Sequence, residues 1–180
     1  RDADPVLHRS VLVRDSGVHE EMNIGEKGVK LIKAFEGCKN RPYRCPAALW
    51  TVGYGKLMYP DQARLKLAER MEYPLKLADT RLFSQEEIDA FLLEELESTS
   101  RGVARLCPSA VGKQGQFDAL VSFAFNCGLG TLQRSSIRTA FNRGEISVAA
   151  DNFLKYTKAA GRELPGLLRR RQAERALFLS

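Results

Sequence analysis

The chain has 180 residues, 28 of them Lys or Arg against 22 Asp or Glu, and 44% are hydrophobic. That apolar share can build a core, which excludes disordered and collagen-like classes, and no run approaches the roughly 18 consecutive apolar residues of a membrane span. The +6 charge favours a polyanionic partner such as nucleic acid, an anionic lipid surface or a bacterial envelope, and the only histidines, His8 and His19, nearly exclude a His-centred triad or a multi-histidine metal site.

Residues 1–21 are polar and turn-like apart from Val11 to Val13, and read as an N-terminal extension outside the folded unit. Arg1 opens the chain where a methionine would stand, as in a processed or truncated product, and Met22 is a natural start for the domain. From Gly25 the spacing of Val29, Ile32 and Phe35, with Lys27, Lys30 and Lys33 opposite, predicts a helix that Gly37 ends. Glu36 then falls in its last turn. Residues 41–59 carry two prolines, two glycines and a Trp-Thr-Val-x-Tyr alternation, which predicts short strands and tight turns. Residues 60–83 are ambiguous, Ala/Leu/Lys/Glu-rich but interrupted by Pro74.

Ser84-x-x-Glu87 is a capping box that opens a helix through about Leu106, with Ile88, Phe91, Leu92, Leu96 and Val103 as its apolar face. Phe117, Leu120, Val121, Ala124 and Phe125 mark an apolar helix stopped at Gly128. Further helices are expected near 136–143, 147–158 and 165–179, the last with Pro165 in its first turn. Cys38, Cys45, Cys107 and Cys127 are too widely spaced for a zinc site. Counting alone leaves three disulfide pairings, or four thiols, open. A Cys107–Cys127 bridge would tie the ends of two helices and contribute about 3 kcal/mol; buried free thiols are its alternative.

A lone carboxylate at a helix end is ordinarily a solvated side chain, although the helix dipole there disfavours its ionisation, as a general acid requires. Glu36 is followed nine residues on by Cys45, and six after that by Thr51. This Glu-x8-Cys-x5-Thr spacing resembles the catalytic signature of the phage-type lysozymes, the endolysins of glycoside hydrolase family 24. Arg-Pro-Tyr43, Trp50-Thr-Val-Gly-Tyr-Gly55, Phe117-Asp-Ala-Leu-Val-Ser-Phe-Ala-Phe-Asn-Cys-Gly128 and Leu164-Pro-Gly-Leu-Leu-Arg-Arg-Arg171 are similar to that family too, in order, from about Met22 to the C-terminus.

The resemblance implies an α+β, mainly α-helical, two-lobed lysozyme-like fold over residues 22–180. A small β-containing lobe around 38–60 would pack on a larger helical lobe, with Glu36 in the cleft between them. It implies hydrolysis of the β-1,4 bond between N-acetylmuramic acid and N-acetylglucosamine in peptidoglycan, for phage-induced lysis of the host. Glu36 would protonate the leaving oxygen, Cys45 would stand where the family often has Asp, and Thr51 would help hold the attacking water. Tyr54 would stack on a sugar ring, or serve as a core aromatic. Asn126 would bond an acetamido group, or cap its helix. Arg170 would pair with the glutamate, although Arg169 and Arg171 leave the register ambiguous and an ordinary charged helix face, with Glu174 four residues on, remains open.

Glu36-Gly-Cys38…Cys45-Pro-Ala47 also resembles the signal-arrest-release endolysins, in which a disulfide involving the catalytic cysteine holds the enzyme inactive. Here no cysteine precedes Cys38 and no anchor is visible, so a Cys38–Cys45 bond would block Cys45 without that family's trigger, or be a permanent bridge, or not form. A lytic transglycosylase and a non-catalytic wall-binding module on the same fold are the rival readings. The Arg169–Arg171 cluster reads as the solvated face of a core helix rather than a lipid-binding or nucleic-acid-binding element. A monomer acting on the wall from the periplasmic side is expected, with the anionic envelope as the partner of the +6 charge. No metal or cofactor is expected, because the glycines of 25–28 and 53–55 are too sparse for a dinucleotide or phosphate loop.

Overall fold

The computed structural model describes residues 22–159 and 161–180. His8, His19 and the Val11–Val13 run lie outside them. The order is α1 (Glu26–Glu36), β1 (Lys39–Arg44), β2 (Trp50–Gly53), β3 (Lys56–Leu57), α2 (Leu67–Glu72), α3 (Gln85–Leu106), α4 (Gln114–Cys127), α5 (Leu129–Arg134), α6 (Ser136–Asn142), α7 (Ile146–Asn152), β4 (Lys158–Ala159), β5 (Arg162–Glu163) and α8 (Pro165–Phe178). This is the mainly helical α+β architecture with a small antiparallel sheet that the sequence predicts.

The centre of the large lobe is α4, whose residues from Phe117 to Ala124 are all buried, and which packs against α1, α3, α5 and α8. An apolar stretch with no polar face belongs in the middle of a bundle. Phe123 meets Phe153 and Tyr156 edge-on, with ring centroids 5.7 and 5.0 Å apart. Its buried Asp118 reaches α1, where Oδ1 and Oδ2 accept from the backbone N–H groups of Gly25 (2.8 Å) and Gly28 (3.2 Å). The entry of α1 has no side-chain cap of its own. Asp118 supplies one from another helix and fixes the axis that carries Glu36 at its far end.

The small lobe is the sheet β1-β2-β3, with Tyr43 opposite Thr51 and Thr51 opposite Leu57. Val52 faces inward to Phe83 and Ile88. Gly53 has φ +64, and a Cβ there would stand 2.8 Å from Ile88, so the close approach of β2 to α3 requires glycine. The Ser84 capping box is formed: its Oγ accepts from Glu87 N–H (3.2 Å), and Glu87 accepts from Ser84 N–H (2.8 Å).

Two parts of the large lobe differ from expectation. The helix stopped by Gly128 restarts at once as α5, because Gly128 (φ +87) turns the chain without a loop. The helix expected over 147–158 ends at Asn152, whose Nδ2 donates to the Ser136 carbonyl (2.9 Å), and a 3-10 turn and the β4–β5 hairpin follow. Gly161, at φ +77, makes that hairpin turn. Among the described residues, no helix is long and apolar enough to cross a membrane.

Candidate active site

A cleft of about 440 Å³ opens between the lobes, lined by Glu36, Tyr54, Gly55, Glu95, Ser98, Thr99, Phe125 and Asn126. Glu36, the last residue of α1, is partly buried with 22% of its side chain exposed. Its Oε1 accepts from Arg170 Nη1 at 2.5 Å, leaving Oε2 for a ligand in the cleft. Arg170 is buried in α8, its guanidinium 5.8 Å from the Phe35 ring centroid. Its Nη2 donates to the Ser122 carbonyl (3.3 Å) and its Nε to Glu174 Oε1 (3.2 Å). The register is therefore Arg170, and the solvated arginine face expected for α8 is corrected: Arg170 and Arg171 are both buried, because Glu174 and Ser122 supply internal partners.

Cys45 and Thr51 come together on the sheet. Cys45 follows β1 and opens a tight turn, with Ala48 N–H donating to Cys45 O (2.8 Å), Cys45 N–H to Leu49 O (3.0 Å), and Ala48 in the left-handed region at φ 59. The turn is braced by Arg44, which stacks on Trp50 at 4.4 Å and donates to the Ala48 carbonyl at 2.9 Å. Burial pushes the Cys45 thiol up, but hydrogen bonds from the Leu49 and Ala47 backbone and the Thr51 hydroxyl outweigh it and bring the group below the ordinary thiol value. The Thr51 hydroxyl also donates to the Leu49 carbonyl at 3.0 Å. It has one proton, so the two acceptors compete for it.

Tyr54 reaches the cleft as expected; Lys33 lies 5.5 Å from its ring centroid and Gln85 donates to its hydroxyl (3.2 Å). Asn126 reaches it too and does not cap α4, whose end is closed by Gly128 N–H on the Ala124 carbonyl. The Cys107–Cys127 and Cys38–Cys45 bridges are not formed: all four cysteines are free thiols. Cys107 lies in the core, where burial pushes it up to about 11. Cys127 turns its sulfur to Arg171 Nη1 at 3.3 Å. Cys38 is exposed.

Three contributors escape the sequence. Tyr43 sits between the halves of the site: burial, then the charges of Cys45 and Glu36, push its hydroxyl up. Glu95 is a second carboxylate in the cleft. Burial raises it, Lys56 at 3.7 Å lowers it, and Glu94 and Glu36 raise it further, for a net value above the usual carboxylate range. Its place within the apolar stripe of α3, seven residues after Ile88 and three after Leu92, was the available signal. The third is the buried Arg171–Glu174 pair, for which a charged residue in a helix gives no signal of burial.

The phage lysozyme family model matches residues 33–174. The endolysin of Bacillus phage B103 is 35% identical over 161 residues, covering 88% of this chain and 55% of that protein. The endolysin of Acyrthosiphon pisum secondary endosymbiont phage 1 is 35% identical over 163 residues, covering 88% and 99%. The chain thus spans about half the length of the first relative and nearly all of the second. Among solved structures, the muramidase domain of SpmX from Asticaccaulis excentricus superposes with TM-score 0.68 at 30% identity, over 87% of this chain and 97% of that one.

Proposed function

The chain belongs to the phage lysozyme family, and from that premise we propose that it is a muramidase, hydrolysing the β-1,4 bond between N-acetylmuramic acid and N-acetylglucosamine in peptidoglycan during phage lysis of the host. The observation that carries the reading is the position of Glu36: one carboxylate oxygen is held by Arg170 and the other is left at the floor of an interlobe cleft. Glu36 acts as general acid on the leaving glycosidic oxygen. Cys45, as a thiolate stabilised by its turn and by Thr51, takes the proton of the attacking water. Tyr54 and Asn126 hold the sugars, and Arg170 holds the acid. Residues 22–180 form the catalytic domain, working as a monomer on the wall, and the +6 charge suits an anionic envelope.

Glu36→Gln keeps the shape and removes the transferable proton. It is expected to lower turnover on isolated murein by about 10²–10⁴-fold. Full activity in the purified variant, read as turbidity loss and new reducing ends, overturns the assignment. Product masses separate hydrolysis, which leaves a reducing muramic end, from transglycosylation, which leaves an anhydro end.

A further inference from the structure

We propose that Arg171 sets the sugar specificity of the cleft: it fixes the side-chain amide of Asn126 so that only hydrogen-bond donors face the substrate, selecting a carbonyl acceptor such as an N-acetyl group. This rests on the muramidase reading and adds to it a residue that never touches the sugar.

Arg171 is fully buried in α8, its guanidinium 4.9 Å from the ring centroid of Phe123. Nη2 donates to Asn126 Oδ1 at 2.7 Å and Nη1 to Cys127 Sγ at 3.3 Å. Nε faces Glu174 Oε2 at 3.1 Å, an ion pair without hydrogen-bond alignment. Glu174 is itself held through Oε1 by the Ser122 hydroxyl (2.7 Å) and Arg170 Nε (3.2 Å). The guanidinium thus has a fixed position.

A guanidinium offers N–H groups and no acceptor. Only the oxygen of Asn126 can face it; flipping the amide would set NH2 against N–H and break the bond. The amide of an unrestrained asparagine serves acetyl carbonyls, hydroxyls and ammonium groups alike. Here the oxygen is occupied, and Nδ2 remains on a side chain that lines the cleft together with Glu36. A sugar with its acetyl group presents a carbonyl oxygen to that donor. A de-N-acetylated sugar presents an ammonium group, donor against donor.

The test compares kcat/KM on murein with kcat/KM on chemically de-N-acetylated murein. The wild-type ratio is expected to favour the acetylated polymer on the order of tenfold, the scale of one partly exposed hydrogen bond with its mismatch. Asn126→Asp keeps the oxygen that Arg171 grips and replaces the donor by an acceptor, so the ratio should collapse to parity or below. Arg171→Gln can face Asn126 with either its own oxygen or its own NH2, while Glu174 keeps Arg170 and Ser122; the ratio should fall severalfold. A purely structural role for Arg171 would change both rates together and leave the ratio intact, and an unchanged ratio in either variant overturns the proposal.

Should Arg171→Gln fail to fold, the nitrogen-labelled wild-type protein decides. The Asn126 Nδ2 resonance is expected to shift with an N-acetylglucosamine tetramer and to stay with the glucosamine tetramer; equal shifts overturn the proposal. A wild-type protein that cleaves both polymers equally, while Glu36→Gln is dead, removes this inference alone. One that cleaves neither removes the muramidase reading and this inference with it.

Discussion

Replacing Cys45 by Ser removes the ionisable sulfur while keeping a small polar side chain in the turn. If the thiolate is the base, the loss is that of a general base, about 10²–10⁴-fold in turnover, or about 3–5 kcal/mol of barrier. The pH profile is the sharper readout. The thiol lies below its ordinary 9.0 because the Leu49 and Ala47 backbone and the Thr51 hydroxyl outweigh burial. The ratio of wild-type to Cys45→Asp activity, which cancels the protonation of Glu36, should therefore rise with pH, tenfold per unit below the thiol pKa, and level off before an ordinary thiol would. A hydrogen bond to a charged group contributes about 1.5–3 kcal/mol, and one pKa unit is about 1.4 kcal/mol. The Thr51 proton is shared with the Leu49 carbonyl, so Thr51→Val should move the rise upward by about one unit. Cys45→Asp, ionised throughout, is the reference for that rise. Two units below the thiol pKa only about 1% of the wild type is thiolate, so the Asp variant gains most on the acid side. The sign for stability is that of a depressed acid: the contribution is complete above the unfolded value and disappears as pH falls through the folded one. An oxidised sample with a Cys38–Cys45 bond should be inactive until reduced. A ratio of wild-type to Cys45→Asp activity that stays flat with pH up to about 9.0, or full activity in Cys45→Ser, would refute the reasoning.

Phe123→Ala removes a ring that packs on Phe153, Tyr156 and the Arg171 guanidinium; a loss of about 3–5 kcal/mol should lower the melting temperature on the order of 10 °C by calorimetry. Gly53→Ala places a Cβ 2.8 Å from Ile88 at a φ of +64, and should cost about 1–3 kcal/mol in denaturant unfolding. Cys107, pushed by burial up to about 11, keeps a proton in the folded state that the unfolded chain releases above its ordinary 9.0. Stability should therefore fall between those values in the wild type, and the fall should be smaller in Cys107→Ala, where Cys127 and the buried tyrosines still contribute, when the two are unfolded at about pH 8 and about pH 10.5.

What the sequence made legible was local. The α1 stripe ending at Gly37, the Ser84 box and the Pro165 start are short-range signals, and each element stands where they put it. The hairpin at 158–163 was missed because two-residue strands leave almost no alternation, and Ser147 to Lys158 has acceptable helix formers throughout. Glu36, Tyr54 and Asn126 were legible only through a family resemblance, since nothing in a lone helix-end carboxylate says that a cleft will open beside it. The pairing of Arg170 with Glu36 spans 134 residues, and three consecutive arginines cannot reveal which of them turns inward.

That inward turn bears on what the buried charges do. Arg170, Arg171 and Glu174 are nearly or wholly inaccessible, and taking such ions out of water costs about as much as their attraction returns. They are weak candidates for stabilising the fold, which α4 and its aromatic neighbours already hold. Their geometry has another consequence. Arg170 and Arg171 are adjacent, share Glu174, and reach forward to different cleft residues, one to Glu36 and the other to Asn126. A single buried carboxylate thereby fixes the Glu36 carboxylate and the Asn126 amide relative to each other, while Cys45 and Thr51 are carried separately on the sheet. Perturbing Glu174 should therefore disturb two cleft residues at once, and leave the Cys45 turn, which has its own braces in Arg44 and Leu49, as it was.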